Sequence, residues 1–462
     1  MVVIMNTITP DLVVIGAGPA GYASAFRAAD LGMKVILLDK RNMIGGVCLH
    51  EGCIPSKALL NVVKILHEIT AYKKLGIFKD TITVDTKQLR SWIQSSVIDV
   101  LSNGLSALSN KRSIPFITGQ AYIEENKSII INNQILQPKN IIIATGSRPI
   151  RLKFIPEDPR IWDSTSALQL ECTTGHLFII GAGIIGCELA CVYVALGMQV
   201  SICDIADRIM PGIDKELAKI MQQELEKQGI VFHLSTSLQE ILNDTDSLKI
   251  IAKQHDQTVR YTADRVLLAM GRIANIEQLW SQKLNLLTNK NLLTVDNQFN
   301  TSVPNIYAVG DVIGGHLAHE ATAQGRLCAE ILAGRKRKHD VKAMPSVAYT
   351  YPEVAWIGKT EEELKNAGTS YKTATISWKA NGRAVATLQT VGQTTLFAND
   401  TGQLIGAHIL GCGAGDLIGE LALALEMNID IEDLALTIHP HPTTSETIML
   451  ASEVIEGTAT DQ

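Results

Sequence analysis

The chain contains one segment twice. Residues 11–40 (DLVVIGAGPAGYASAFRAADLGMKVILLDK) and residues 176–205 (HLFIIGAGIIGCELACVYVALGMQVSICDI) align without gaps at a shift of 165, with 12 of 30 positions identical. An internal repeat of this kind narrows the possible folds more than any other feature. Each copy opens on a short apolar run, Leu12–Ile15 or Leu177–Ile180, of the kind that makes a buried parallel strand. G-x-G-x-x-G follows, as Gly16, Gly18, Gly21 and as Gly181, Gly183, Gly186. The first glycine permits a tight turn, the second lets backbone approach a pyrophosphate, and the third lets helix pack on strand. A helix N-terminus then offers free N–H groups and a positive dipole end to the phosphates. A second apolar run ends in an acid, Asp39 or Asp204, each 18 residues past the last glycine, where a ribose hydroxyl pair is expected.

A lone glycine motif is weak, but two complete units with matched spacing predict an α/β protein with two Rossmann-like dinucleotide-binding domains. The rival is a pair of doubly wound domains that bind no nucleotide. Two dinucleotides imply electron transfer between them, for which the natural pair is a flavin and a nicotinamide. At Asp204 a carboxylate would repel a 2′-phosphate, and Ile205 and Ala206 supply no cation, so NAD is favoured; Arg208, slightly further on, keeps NADP open.

Composition narrows the function classes. Hydrophobic residues make up 46% of the 462, enough for large cores. The balance of 41 basic against 47 acidic residues, with no basic stripe interleaved with aromatics, argues against nucleic acid. Arg335-Lys336-Arg337-Lys338 reads as a solvated turn. The longest apolar stretches, such as residues 177–186, are about half of a membrane span, and Met1–Met5 lacks the basic region of a signal peptide. A cytoplasmic protein, with no membrane contact, is expected. Eight cysteines in a chain of this size are not a secreted disulfide framework.

Two of them matter nevertheless. In GGVCLHEGCIPSK (45–57), Cys48 and Cys53 lie five apart and could close a small disulfide loop. Zinc is an alternative, but no second Cys or His pair stands at ligand spacing, so no metal is expected. Buried inert cysteines are another, against which the flanking glycines and Lys57 argue. A redox-active pair is the favoured reading. A helix starting near Pro55 would aim its positive end at Cys53 and lower its thiolate pKa.

The same segment resembles the redox motif of the pyridine-nucleotide disulfide oxidoreductases, and the resemblance runs over nearly the whole chain. IIIATGSRP (141–149), which contains Gly146, is similar to the closing strand of the family's first nucleotide domain. ADRVLLAMGR (263–272), with Gly271, resembles the end of the second. TSVPNIYAVGD (301–311) resembles the second flavin motif, which implies that Asp311 holds the ribityl chain, with Ala318 nearby in LAHEA (317–321). HPHPTTSE (439–446) is similar to the acid–base motif. Leu49, LAHEA, GAHILG (406–411) and the paired His439 and His441 lean towards the branch that oxidises protein-bound dihydrolipoamide with NAD⁺. Departures are Val47 for threonine, His50 for asparagine, Asp39 for glutamate, Ala274 for proline and Tyr351 for histidine.

The resemblance implies roles. His441, oriented by Glu446, is the general base that a protonated dithiol requires. Cys48 is the interchange thiol, Cys53 the thiol beside the FAD, and Lys57 and Glu188 an ion pair near the flavin, with Glu188 in the first turn of its helix. Cys187 and Cys191 are read as packing residues. The implied domains are FAD-binding (1–150), NAD-binding (151–277), central, completing the FAD site (278–345), and C-terminal dimerisation (346–462). Implied partners are a second copy of the chain and a lipoylated carrier of a 2-oxo-acid dehydrogenase or glycine-cleavage system. The rivals are an NAD(P)H-dependent disulfide reductase of the glutathione-reductase type and a non-catalytic flavoprotein subunit.

Overall fold

A computed structural model describes residues 7–77 and 82–460. The N-terminal stretch Met1–Met5 lies outside the described residues. The chain divides into two compact units, one of residues 1–55, 85–150 and 271–340, the other of residues 56–84, 151–270 and 341–462.

In the first unit, the apolar runs of the first repeat copy become neighbouring strands of a five-stranded parallel sheet. Its order is Ile306–Ala308, Asn140–Ile143, Leu12–Ile15, Val35–Asp39, Phe116–Thr118. Leu12–Ile15 is buried at all four positions, as a strand covered on both faces must be. Helix Pro19–Asp30 packs against helix Ala318–Leu332 so closely that a Cβ on Gly325 would stand 2.3 Å from the Ala20 carbonyl oxygen.

The second unit holds an equivalent parallel sheet, in the order Ile161–Asp163, Arg265–Leu268, His176–Ile180, Gln199–Cys203, Ile230–His233. It also carries an antiparallel sheet of Ser346–Ala348, Val354–Gly358, Leu404–Leu410, Gln393–Ala398 and Lys372–Ser377. The core beside that sheet is built round Trp378, fully buried, with its indole N–H donating to Thr394 Oγ1 at 3.1 Å.

These units are cut differently from the expected domains. The chain re-enters the first unit at Gly271 rather than after residue 277, because Arg272–Ala274 pairs antiparallel with Ser147–Pro149. Residues 56–84 group with the second unit although they follow directly on the cysteine segment. Among the described residues no helix is long and apolar enough to cross a membrane.

Candidate functional site

The two glycine loops have the same construction. Gly16 sits at φ +106° and Gly181 at +114°; a Cβ on either would fall 2.2 Å from the Ala144 oxygen or 2.4 Å from that of Ala269. A side chain at either place meets both backbone strain and backbone overlap. The third glycines close the helix onto its own loop: a Cβ on Gly21 would lie 1.7 Å from the Gly16 oxygen, and one on Gly186 2.0 Å from the Gly181 oxygen. The middle glycines, Gly18 and Gly183, are the N-caps of helices Pro19–Asp30 and Ile184–Ala195, and neither helix start has a capping side chain or an acid in its first turn. Beside Gly183 a Cβ would meet nothing within 4 Å. Uncapped N–H groups facing open space fit a pyrophosphate.

The acids at the strand ends are held in matching ways. Asp39 Oδ2 accepts the Ala17 N–H at 2.7 Å and Oδ1 the Arg41 N–H at 2.8 Å. Asp204 Oδ2 accepts the Ala182 N–H at 2.6 Å and Oδ1 the Ala206 N–H at 2.8 Å. Each carboxylate straps the glycine loop to the turn after its strand and keeps lone pairs for a ribose. Gly186→Ala is expected to weaken NADH binding by roughly 10–100-fold, the equivalent of the 1–3 kcal/mol that overpacking typically costs. Bound flavin should be retained, because the Gly16 loop is untouched; titration of the yellow protein with NADH checks both.

The cysteine segment packs onto the first glycine loop. The Gly45 N–H donates to the Ala17 oxygen at 2.8 Å, and Gly46, at φ +61°, lies so near that a Cβ would be 2.5 Å from the Gly18 Cα. Cys48 stands in the short helix Gly46–Glu51, and helix Cys53–Lys73 begins at the second cysteine, two residues earlier than expected. Pro55 is then the third residue of the helix, where its missing N–H removes no intrahelical bond. Cys53 thus occupies the positive end of a 21-residue helix. Gly52 joins the two helices in a turn where a Cβ would sit 3.0 Å from the Val47 oxygen. His50, the departure between the cysteines, has its Nε2 3.0 Å from the Ile44 oxygen, a bond within its own loop.

Lys57 Nζ donates to both oxygens of Glu188, at 3.1 and 3.0 Å. Glu188 is 4% exposed and is the fifth residue of helix Ile184–Ala195, just beyond the first turn rather than in it. Neither motif nor spacing disclosed Tyr349, whose N–H donates to Glu188 Oε1 at 2.9 Å and whose ring lies 4.8 Å from Lys57 Nζ.

Asp311, in the turn Gly310–Ile313, receives the Ser147 hydroxyl on Oδ2. Ser147 Oγ in turn accepts from Arg272 Nε at 2.7 Å. Burial alone would raise the Asp311 carboxyl, but His316, Ser147 and the Arg272 charge outweigh it and hold it below the usual carboxylate range. Ala318 is the first residue of helix Ala318–Leu332, again without a capping side chain. Gly146, at φ +68° with nothing within 4 Å of an added Cβ, passes its oxygen to the Asn275 N–H, and Gly271, at φ +110°, accepts from the Ile150 N–H at 3.0 Å. In the first unit, a glycine loop, an acid tied to it and an ionised Asp311 fit an FAD; the second unit's loop and Asp204 fit an NAD.

His441 Nδ1 lies 2.8 Å from Glu446 Oε1, while Glu446 Oε2 accepts the Thr443 N–H at 2.7 Å. The His441 side chain is 79% exposed and that of Glu446 16%. Burial pushes the Glu446 carboxyl up, but the Thr443 N–H and His441 more than offset it, and the group titrates below its ordinary range. His439 is different: its side chain is 4% exposed and its ring is tied at both nitrogens, to the Thr437 oxygen and to Glu420. Of the two histidines, only His441 presents an oriented ring to the outside. Cys187 and Cys191 are buried, and burial pushes both thiols up, that of Cys191 to about 12, so they stay protonated and inert.

Residues 10–325 match the family described as pyridine nucleotide-disulphide oxidoreductase, and residues 344–452 match its dimerisation domain. The chain is 42% identical to the dihydrolipoyl dehydrogenase of Vibrio cholerae, over 98% of this chain and 97% of that protein. It is 38% identical to that of Geobacillus stearothermophilus, over 99% and 98%. Among solved structures it is similar to the HOCl-induced flavoprotein disulfide reductase RclA from Escherichia coli, with a TM-score of 0.86, 25% identity, and coverage of 96% of this chain and 99% of that one. The chain belongs to the pyridine nucleotide-disulphide oxidoreductase family.

Proposed function

We infer that this protein is an FAD- and NAD-linked dihydrolipoyl dehydrogenase, which oxidises protein-bound dihydrolipoamide to lipoamide. The observation that carries the reading is the packing of the Cys48–Cys53 segment against the first glycine loop, through the Gly45–Ala17 bond and the Gly46–Gly18 approach. That packing ties a cysteine pair to the loop that fits FAD. Full-length relatives at about 40% identity carry the same activity in their names.

In this reading the oxidised enzyme holds Cys48 and Cys53 as a disulfide. His441 removes a proton from one substrate thiol, held in the required tautomer by Glu446. The substrate thiolate attacks Cys48 Sγ, the Cys48–Cys53 bond breaks, and Cys53 leaves as a thiolate at the positive end of its helix. The second substrate thiol attacks the substrate sulfur of the mixed disulfide, the bond to Cys48 breaks and the proton passes to the departing Cys48 thiolate, so lipoamide closes, the substrate is oxidised by two electrons and the enzyme pair is reduced. A bound FAD would supply the two-electron chemistry that couples reoxidation of the cysteine pair to NAD⁺ reduction. Asp39, Asp311, Gly146 and Ala318 would hold the FAD, and Asp204 and the Gly181 loop would hold the NAD; Lys57 and Glu188 form an ion pair at 3.0 Å.

The family dimerisation domain over residues 344–452 supports a homodimer. His441 of the partner subunit then serves the cysteine pair of this one. The protein acts in the cytoplasm on the lipoylated carrier of a 2-oxo-acid dehydrogenase or glycine-cleavage system. The test is a steady-state assay of the purified yellow protein with dihydrolipoamide, comparing NAD⁺ with NADP⁺. Rapid NADH formation, weak with NADP⁺, is expected. NADPH consumption with glutathione disulfide, and no turnover with dihydrolipoamide, would replace the substrate assignment while keeping the cysteine chemistry.

A further inference from the structure

Arg208 is the only cation in residues 205–213, the stretch that follows Asp204. Its backbone runs between two anchors at the second glycine loop. The Ala206 N–H is bonded to Asp204 Oδ1, and the Met210 N–H donates to the Ala182 oxygen at 2.9 Å. Arg208 therefore belongs to a turn folded back on the loop that fits the coenzyme, four residues from the acid expected at the ribose. A free guanidinium there would offer a 2′-phosphate the bidentate partner that arginine supplies best.

The guanidinium is engaged elsewhere. Arg208 Nη2 lies 2.8 Å from Glu362 Oε2, with the arginine side chain 21% exposed and the glutamate 46%. Glu362 is held in place by its own backbone. Its N–H donates to Asp214 Oδ1 at 3.0 Å, and the helix Glu361–Asn366 that carries it starts with a capping box at Thr360. The neighbouring carboxylate is engaged elsewhere: Glu361 Oε1 meets Lys365 Nζ at 2.9 Å and accepts the Tyr371 hydroxyl at 2.7 Å.

We propose that Glu362 is a specificity-determining residue for the nicotinamide coenzyme. By pairing with Arg208 it withholds the turn's cation from a 2′-phosphate, so that discrimination against NADP rests on two carboxylates: Asp204, which repels the phosphate, and Glu362, which occupies the group that would attract it. The inference rests on the NAD-linked reading above, and it locates one determinant of the NAD preference outside the repeat unit, in the segment of the chain that matches the dimerisation domain.

The test is calorimetric titration of the FAD-loaded dimer with 2′,5′-ADP and with 5′-AMP, which differ in the 2′-phosphate. Glu362→Gln is expected to bind 2′,5′-ADP roughly tenfold more tightly than the unmodified protein, the order of effect of one charge-assisted bidentate pair. Its affinity for 5′-AMP should move by less than about twofold. Glu362→Asp, which keeps the carboxylate, should retain the original discrimination. Adding Arg208→Ala to Glu362→Gln should cancel the gain. A Glu362→Gln protein that melts normally but binds 2′,5′-ADP no more tightly overturns the proposal, as does a gain that survives Arg208→Ala. Binding is measured without turnover, so failure of the dihydrolipoamide assay would leave this result standing, and failure here would leave that activity standing.

Discussion

A Cys48→Ser variant is expected to form no NADH from dihydrolipoamide, a loss on the order of 10⁴–10⁶-fold, as when the nucleophile of a covalent mechanism is removed. A hydroxyl at this position cannot form the mixed disulfide, and its pKa lies far above that of a thiol, so no reactive anion replaces the thiolate. The short helix Gly46–Glu51 should survive, since it is placed by Gly45, Gly46 and the buried Leu49 rather than by the sulfur. NADH should therefore still bleach the bound flavin in stopped-flow absorbance, while dihydrolipoamide should not. Turnover above about 1% of the parent would remove Cys48 from the covalent path.

His441→Gln is expected to lower dihydrolipoamide oxidation by about 10²–10⁴-fold, the usual worth of a positioned general base. Glutamine can still bond to Glu446, so the C-terminal helix Glu446–Glu456 keeps its first-turn contact and the loss reports proton transfer. The pH profile carries a second check. Because the Glu446 carboxyl titrates below its ordinary range, it is ionised throughout the neutral region. Its contribution is complete above the ordinary carboxylate pKa and is lost only as the pH falls through the lowered value. Any change in kcat/KM near neutral pH in the parent therefore does not come from Glu446, and the profile of His441→Gln should differ from that of the parent. A variant with an unchanged profile would take the base away from His441.

The parts of this site that could be read from sequence are those the chain builds locally. The two glycine loops, the cysteine segment and the His441–Glu446 pair each span only a few residues, so spacing specifies their geometry. The strand-end acids were legible because the repeat fixes their distance from the glycines. Partnerships made by folding were not. Ser147 and Asp311 meet across a separation of 164 residues, and Tyr349 reaches Glu188 across 161, with no pattern in either stretch to announce it. The Lys57–Glu188 pair was accessible only through resemblance, and the helix position of Glu188 was misjudged by one residue because glycines blur where a first turn begins. The start of the helix at Cys53 was hidden for a related reason. A proline favours the first helical position, but a helix tolerates it anywhere in the first turn, so Pro55 places the start only to within a few residues. The return of the chain at Gly271 is decided by a three-residue antiparallel pairing too short to show any periodicity.

The straps made by Asp39 and Asp204 have a consequence for changing the coenzyme. Each acid uses both oxygens on backbone N–H groups, one in the glycine loop and one past the strand. Exchanging Asp204 for a neutral or basic residue to admit NADP would therefore also cut the tie between that loop and the following turn, leaving the Ala182 and Ala206 N–H groups to find new acceptors. Selectivity and loop rigidity are written into the same two atoms. A route from one coenzyme to the other in this scaffold has to repair the second property while it alters the first.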